Sequence, residues 1–374
     1  MPTNHALLSA SSSARWINCP PSVRLCEGLA ERESAFAAEG TDAHTLCEYK
    51  LKKALGIDMP DPTPNLTYYD QEMEDCAEEY ALFITSIVEE LKEKCPDTNV
   101  MIEQHLDFSS YVPNGFGTGD CIIASDTLLR VIDFKYGKGL KVEAKGNTQM
   151  LLYALGAYEI FGPLFGTENI ELTIFQPRLQ NISTSRINTS DLYKWVNDVL
   201  VPAAKLAFNG EGDTKAGPWC RFCKVKAQCR KRAETNMQLA SYEFKEPPLL
   251  DDEELSKILT QVDELISWSN DVKEYALSQA LKGKCYEGFK LVEGRSVRKY
   301  SDQQMAAKAV KEAGFDPYDH KIKGITAMTS LLGKTKFNEL LGDLLIKPHG
   351  KPTLVPQCDK RPEITIDDFN DTEE

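Results

Sequence analysis

Apolar residues recur at helical spacing in the first part of the chain. Between Asp70 and Lys94, YALFITSIVEEL gives one apolar face to an otherwise charged segment, which predicts a helix over that interval. Residues 31–55 read as another helix, with Glu31, Glu33 and Lys50 facing solvent, and Pro60 to Pro64 break the chain between the two. Residues 4–30 read as a short helical opening. There Ser11, Ser12 or Ser13 caps a helix through Ala14–Ile17, and Pro20–Pro21 interrupts it.

The period then changes. VMIEQHLDF (100–108), GTGDCIIAS (117–125) and LLRVIDFKYG (128–137) predict strands, with turns at Asn114–Gly115 and Ser125–Asp126. A helix is expected over Asn147–Phe161, with Met150, Leu151, Ala154 and Leu155 on its apolar face. ELTIFQP (171–177) predicts a strand ended by its proline, and Asp191–Asn209 a helix. Strands framed by helices predict an α/β fold. A domain boundary falls at the proline-containing KEPPLLDDEE (245–254), dividing the chain into 1–245 and 246–374. Beyond it an α+β region is expected: a helix near 253–282, a hairpin-like CYEGFKLVEGRSVRKY (285–300), helices near 301–314 and 328–342, and an acidic, loose tail.

Composition narrows the class of protein. In 374 residues, 42% are apolar and 27% charged, enough to bury a real core. No run of eighteen apolar residues exists, so no membrane partner is expected. The opening residues lack a basic stretch followed by an apolar core, so the expected compartment is the cytoplasm. There, eleven cysteines argue for free thiols and a bound metal rather than a disulfide framework. A net charge of −14 argues against a passive nucleic-acid coat protein, so any DNA must be held by local basic patches.

The chemistry concentrates in GTGD-CIIASDTLLR-VIDFK. Alternate residues of a strand share a face, so Asp133 and Lys135 are neighbours while Phe134 turns into the core. An acid and a lysine leaving so apolar a strand would be costly if buried unpaired. They read either as a salt bridge at an exposed sheet edge, or as a divalent-metal site in which Asp120 and Asp133 hold Mg²⁺ or Mn²⁺ beside the lysine. Glu103, on the preceding strand, reads equally as a surface residue or an auxiliary acid.

G-x-x-D ending at Asp120, followed by D-x-K at Asp133–Lys135, resembles the PD-(D/E)XK nuclease superfamily, and within it the RecB- and Cas4-type nucleases. Two further landmarks occur in order: His44 in EGTDAHTLCE, and Q-x-x-x-Y at Gln149 and Tyr153. The resemblance covers roughly residues 10 to 235. It implies a restriction-endonuclease-like core, a mixed sheet flanked by helices. It implies His44, Asp120 and Asp133 as metal ligands, and Asp120, Asp133, Lys135, Gln149 and Tyr153 as catalytic residues. The implied activity is a metal-dependent deoxyribonuclease, an exonuclease rather than an endonuclease, acting on single strands or duplex ends. Relatives of this kind are phage- or prophage-associated, which implies phage recombination or end processing in a bacterial cytoplasm, with recombination proteins as further partners. A non-catalytic DNA-binding or assembly module of the same fold is the alternative. Oligomeric state is not legible.

WCRFCKVKAQC carries Cys220, Cys223 and Cys229, three thiols of a site that needs a fourth. Position alone leaves Cys19 and Cys26 as partners. In the iron–sulfur branch of these nucleases one N-terminal cysteine joins a C-terminal C-x2-C-x5-C trio. That resemblance implies Cys19, closing SSSARWINC, and leaves Cys26 as an ordinary helix residue. Four thiolates satisfy either a [4Fe–4S] cluster or Zn²⁺. The one-plus-three split favours the cluster, and zinc remains the alternative. Around the trio, Lys215, Arg221, Lys224, Lys226, Arg230, Lys231 and Arg232, with Trp219 and Phe222, read as a nucleic-acid platform or as a solvated face. Lys138, Lys141 and Lys145, following Lys135, are better placed for DNA contact, whereas the more distant GRSVRKY, KIKG and GKTKF read equally as an extension of a DNA groove or as ordinary surface.

Overall fold

The computed structural model describes residues 6–29, 35–125, 128–240, 252–292 and 301–318, and between 322 and 345 residues 322, 325, 328, 332 and 334–345. Helices α1 (Ser13–Asn18) and α2 (Ser22–Cys26) flank the Pro20–Pro21 break. Ser12 holds the cap position of α1, but its hydroxyl bonds Ser9 Oγ at 2.8 Å and donates no help to a helix N–H. Helix α3 (Ala35–Ala54) packs against α4 (Gln71–Lys94), tied by Lys50 to Glu74 and, at 3.2 Å, to Glu78. Asp70 starts α4 by accepting the Met73 N–H at 2.8 Å.

Five strands form one mixed sheet in the order β1-β2-β3-β4-β5: β1 (Asn99–Asp107), β2 (Phe116–Ser125), β3 (Leu128–Phe134), β4 (Asn169–Gln176) and β5 (Asn181–Asn188). The β3–β4 pair is parallel and the other three are antiparallel. A parallel pair needs a long crossover, and α5 (Thr148–Phe165) supplies it. One sheet face buries Ile122, Val131, Leu172 and Ile174 against α5 and the helices after β5. The other buries Cys121, Ile123, Ile132 and Phe175 against α3 and α4.

Several local expectations need correction. β3 ends at Phe134, so Lys135 lies one residue beyond the strand, although its N–H still reaches Phe175 O at 2.9 Å. The β1–β2 connection is not a two-residue turn. Phe108 N–H closes on Gly115 O at 3.1 Å across an eight-residue loop, with Asn114 at φ +54°. A Cβ on Gly115 would meet the Phe108 ring at 2.8 Å, which explains the glycine. The 125–126 turn lies partly outside the described residues. Strand β5, NISTSRIN, has no counterpart in the sequence reading. The interval 191–209 is not a single regular helix: α6 (Thr189–Trp195) passes through a π-helical turn, Val196–Leu200, into α7 (Val201–Asn209). Pro202 follows that turn, and the widened coil accommodates a ring that cannot join a regular helical ladder.

The chain divides into two compact units, Met1–Pro248 with Glu264–Leu277, and Leu249–Asp263 with Ser278–Glu374. The first also contains α8 (Arg230–Ala240) and the middle of α9 (Asp252–Ala280). The second contains the ends of α9, with α10 (Gln303–Glu312) and α11 (Lys334–Leu341). Among the described residues beyond 278 there is no strand. The first half of the expected hairpin, 285–292, is irregular, and 293–300 and the acidic tail lie outside the described residues. The α+β character expected there is therefore helical as far as it is described. Among the described residues no helix is long and apolar enough to cross a membrane.

Candidate active site and cysteine cluster

Three elements deliver a nitrogen and two carboxylates to one point. His44 on α3, Glu103 on β1 and Asp120 on β2 each offer a ligand atom, all within 4.8 Å of one another. His44 Nδ1 stands 3.5 Å from Asp120 Oδ2, and its ring meets Phe134 edge-on at 5.4 Å. Asp120 Oδ2 also accepts the Phe134 N–H at 2.7 Å, which fixes the carboxylate between strands.

Asp133 and Lys135 share a face, as their spacing requires, with Lys135 Nζ 2.9 Å from Asp133 Oδ2. Asp133 is only 1% exposed. Its Oδ2 has the charged neighbour but no aligned hydrogen-bond donor, so a buried carboxylate oxygen is left with coordination capacity. Gln149 bridges the site: it donates to Asp133 Oδ1 at 3.4 Å and to Tyr153 Oη at 3.1 Å, and accepts from Lys135 Nζ at 3.2 Å. Asn147 holds the start of α5 by accepting the Gln149 and Met150 N–H groups. Helical spacing then puts Gln149 and Tyr153 on one side. A Cβ on Gly117 would sit 2.8 Å from the Tyr153 ring, so this glycine lets the tyrosine lie against β2.

The electrostatics follow from burial and crowding. Burial opposes charge on His44, but Asp120 beside it outweighs burial and lifts the imidazole to about 8. Burial, then repulsion from Asp120, pushes Glu103 up to about 7. For Asp133, burial and the Asp120 charge prevail over Lys135 and raise its carboxyl. For Asp120, burial is overcome by His44, Lys135 and the Phe134 N–H, and its carboxyl is lowered. Lys135 is raised because the two aspartates outweigh its desolvation. Crowded carboxylates sharing few protons make a set that a divalent cation would neutralise. Their oxygens with one imidazole suit Mg²⁺ or Mn²⁺.

Glu103 is the residue whose place the sequence left most open. It stands at φ +50° in the middle of β1, where a residue with a Cβ is strained by about 1–2 kcal/mol. The kink has a visible effect. Ile102 packs on the α3/α4 side and Leu106 on the α5 side, although residues four apart in a regular strand share a face. The three groups that could hold a metal ion are His44, Asp120 and Glu103, with Asp133 alongside and engaged by Lys135 and Gln149.

On the other side of α1, Cys19, Cys220, Cys223 and Cys229 line one small cavity of about 20 Å³. Cys19, Cys220 and Cys223 are buried and Cys229 is partly so. A tetrahedral zinc would draw four sulfurs to about 3.8 Å of one another. Four thiolates drawn that close hold one zinc ion, and four set wider hold a [4Fe–4S] cluster. Cys26 is not the ordinary helix residue that the sequence suggested. Its Sγ lies 3.7 Å from Cys223 Sγ, and that hydrogen bond, helped by Arg15, lowers it to about 5. The same contact, then burial, raises Cys223 far above the usual thiol range. The N-terminal segment is also held without any metal. Arg24 donates to Phe208 O, Lys224 Nζ to Leu29 O at 3.0 Å, and Ser13 Oγ shares a 2.7 Å bond with Thr148.

The basic loop after β3 exposes Lys138, Lys141 and Lys145. It is braced from below by Gln176, which donates to Gly137 O and Leu140 O, and by Asn181, which donates to Val142 O. GRSVRKY lies outside the described residues.

Among solved structures the chain is similar to one titled "Crystal structure of SSO0001", with 17% identity, 52% of this chain and 98% of that chain covered, and a TM-score of 0.23. Residues 5–362 match the model of a family described as a protein of unknown function, DUF2800. That match spans nearly the whole sequence, and the chain belongs to the DUF2800 family.

Proposed function

We propose that this chain is a divalent-metal-dependent deoxyribonuclease of the PD-(D/E)XK type, with a restriction-endonuclease-like core. The observation that carries the reading is one buried polar site built from five elements. His44, Glu103 and Asp120 stand within coordination reach of one another, and Asp133 and Lys135 stand next to them, braced by Gln149. Bound there, Mg²⁺ or Mn²⁺ would supply Lewis acidity to a phosphoryl group and to the attacking water. Asp133 holds Lys135 with its ammonium at the site, ready to meet charge that develops on phosphate oxygens. Gln149 fixes the lysine, and Tyr153 fixes the glutamine. Lys138, Lys141 and Lys145 present cations to the backbone of the nucleic acid, which supports DNA binding by a chain of net charge −14.

That Cys19, Cys220, Cys223 and Cys229 line one cavity supports a four-thiolate metal site, and the choice of a [4Fe–4S] cluster over zinc rests on the sequence resemblance. Its part is structural, joining the N-terminal segment to the end of the nuclease unit. Exonuclease action in phage recombination or end processing rests on the sequence resemblance alone.

The test uses labelled linear, circular and single-stranded DNA with Mg²⁺ or Mn²⁺. Wild type should cut at least one of them and Asp133→Ala none. Equal behaviour of the two proteins on every substrate would falsify the catalytic assignment. Tight binding without metal-dependent cleavage would support a DNA-binding module instead.

A further inference from the structure

Beside the cysteine cluster lies a second and much larger cavity, of about 550 Å³, within the range of ligand sites. One wall is the serine-rich turn before α1, with Ser9, Ser11 and Ser12. The facing wall is Trp219, Phe222 and Lys224, and Arg15 lies between. The turn Pro218–Phe222 holds the Phe222 ring outward, 82% exposed, with the Arg221 guanidinium 5.9 Å from its centre. The acidic residue on this rim, Glu27, has both oxygens bonded by Arg24 at 3.0 Å, so the cavity's balance is cationic. Hydroxyls, cations, the exposed Phe222 ring and the half-buried Trp219 together match a phosphate backbone with bases.

The cavity is also joined to the metal centre through the protein. Ala10, in the serine turn, lies 3.5 Å from where a Gly117 Cβ would stand, and the Tyr153 ring lies 2.8 Å from the same point. Ser13, at the end of that turn, bonds Thr148 at the start of α5, the helix that carries Gln149 and Tyr153. The serine turn is thus a partition with the candidate active site behind it.

We infer that this cavity binds a short run of single-stranded nucleic acid adjoining the bond to be cut. Bases stack on Phe222 and Trp219, and phosphates lie against Arg15, Lys224 and the serine hydroxyls. Stacking on a side chain needs an exposed base face, which an intact duplex does not present along its length. Only the placement next to cleavage rests on the nuclease reading; the binding itself does not.

The experiment measures fluorescence anisotropy of a labelled oligo-dT, and of a duplex of equal length, with the full chain in EDTA. Phe222→Ala should weaken oligo-dT binding about tenfold. Ser11→Glu, which touches no cysteine, should weaken it comparably by charge. Lys224→Ala should lower the slope of log K against log salt by about 0.7. Duplex binding should change little. Thermal melting identifies any variant that has lost its fold, and Ser11→Glu then decides the matter. Wild-type oligo-dT affinity in both Phe222→Ala and Ser11→Glu overturns the inference, as does an equal loss for duplex. If single-strand binding falls as expected but no DNA is ever cut, the nuclease reading fails and this one stands. If DNA is cut and oligo-dT ignores both variants, this one fails alone.

Discussion

Replacing Glu103 by glutamine tests the proposed metal centre by separating its cost from its use. In the metal-free protein the Glu103 carboxyl is pushed from 4.5 to about 7 by burial and by Asp120. A shift of that size corresponds to about 3 kcal/mol against the ionised folded state, and partial access to water reduces it to about 1–2 kcal/mol. The sign is that of a raised acid. The contribution to stability is fully present below pH 4.5 and is lost as pH rises through about 7. Metal-free Glu103→Gln should therefore match wild type near pH 4.5. It should exceed wild type by about 1–2 kcal/mol at pH 8, or roughly 2–6 °C in melting temperature. Mg²⁺ or Mn²⁺ reverses the comparison. At tenfold excess over Kd a cation stabilises the wild type by about 1.4 kcal/mol, and the variant should lose most of that gain. Melting curves at pH 4.5 and 8, with EDTA or metal, give all four values. A variant less stable than wild type at pH 8 without metal, yet equally stabilised by metal, would place Glu103 outside the centre.

Three other outcomes are expected. Gly117→Ala should push the Tyr153 ring off β2, since the added carbon meets it at 2.8 Å; cleavage should fall while global stability drops by about 1–3 kcal/mol, measured by denaturant titration. Cys19→Ala and Cys220→Ala should deplete the same metal, read as iron and zinc content with the absorption spectrum, whereas Cys26→Ala should retain it; unchanged metal in Cys19→Ala alone points to Cys26 as the fourth ligand. Asp271 is lowered although burial opposes it, because Lys226 at 2.7 Å and Arg232 at 2.5 Å hold its charge. Its contribution is present above about pH 4 and is lost as pH falls through its depressed value, so Asp271→Asn should flatten acid unfolding below pH 4 and cost about 3 kcal/mol at pH 7.

Much of the first unit was legible because its signals are local. The start of α4 at Asp70, the apolar stripe after it and the Asn147 start of α5 are read within a few residues, and the structure puts those starts within one position. The shared face of Asp133 and Lys135 follows from the pleat alone. Strand β5 was invisible because its inward residues are Asn181, Ser183, Ser185 and Ile187, so its alternation is real but not hydrophobic. The gathering of His44, Glu103 and Asp120 joins a helix and two strands far apart in sequence, and the positive φ of Glu103 is announced by no neighbouring residue. Cys26 reaches Cys223 only because the chain turns back after Pro20–Pro21, and the reach of that turn is set by packing.

The N-terminal segment has a consequence for how the protein is made. Its buried Leu8, Trp16 and Val23, and its polar ties, are completed by residues near 208 and by the cysteines up to 229. During synthesis the ribosome releases the first cysteine some two hundred residues before its partners. The serine turn that backs Tyr153 meets Thr148 and Tyr153 earlier, but Arg24 waits for Phe208. A nascent chain can therefore pair β1 to β3 and gather its carboxylates before the N-terminal segment is fully held. The N-terminal segment is held in full only late, once the residues near 208 and the cysteines up to 229 have been made.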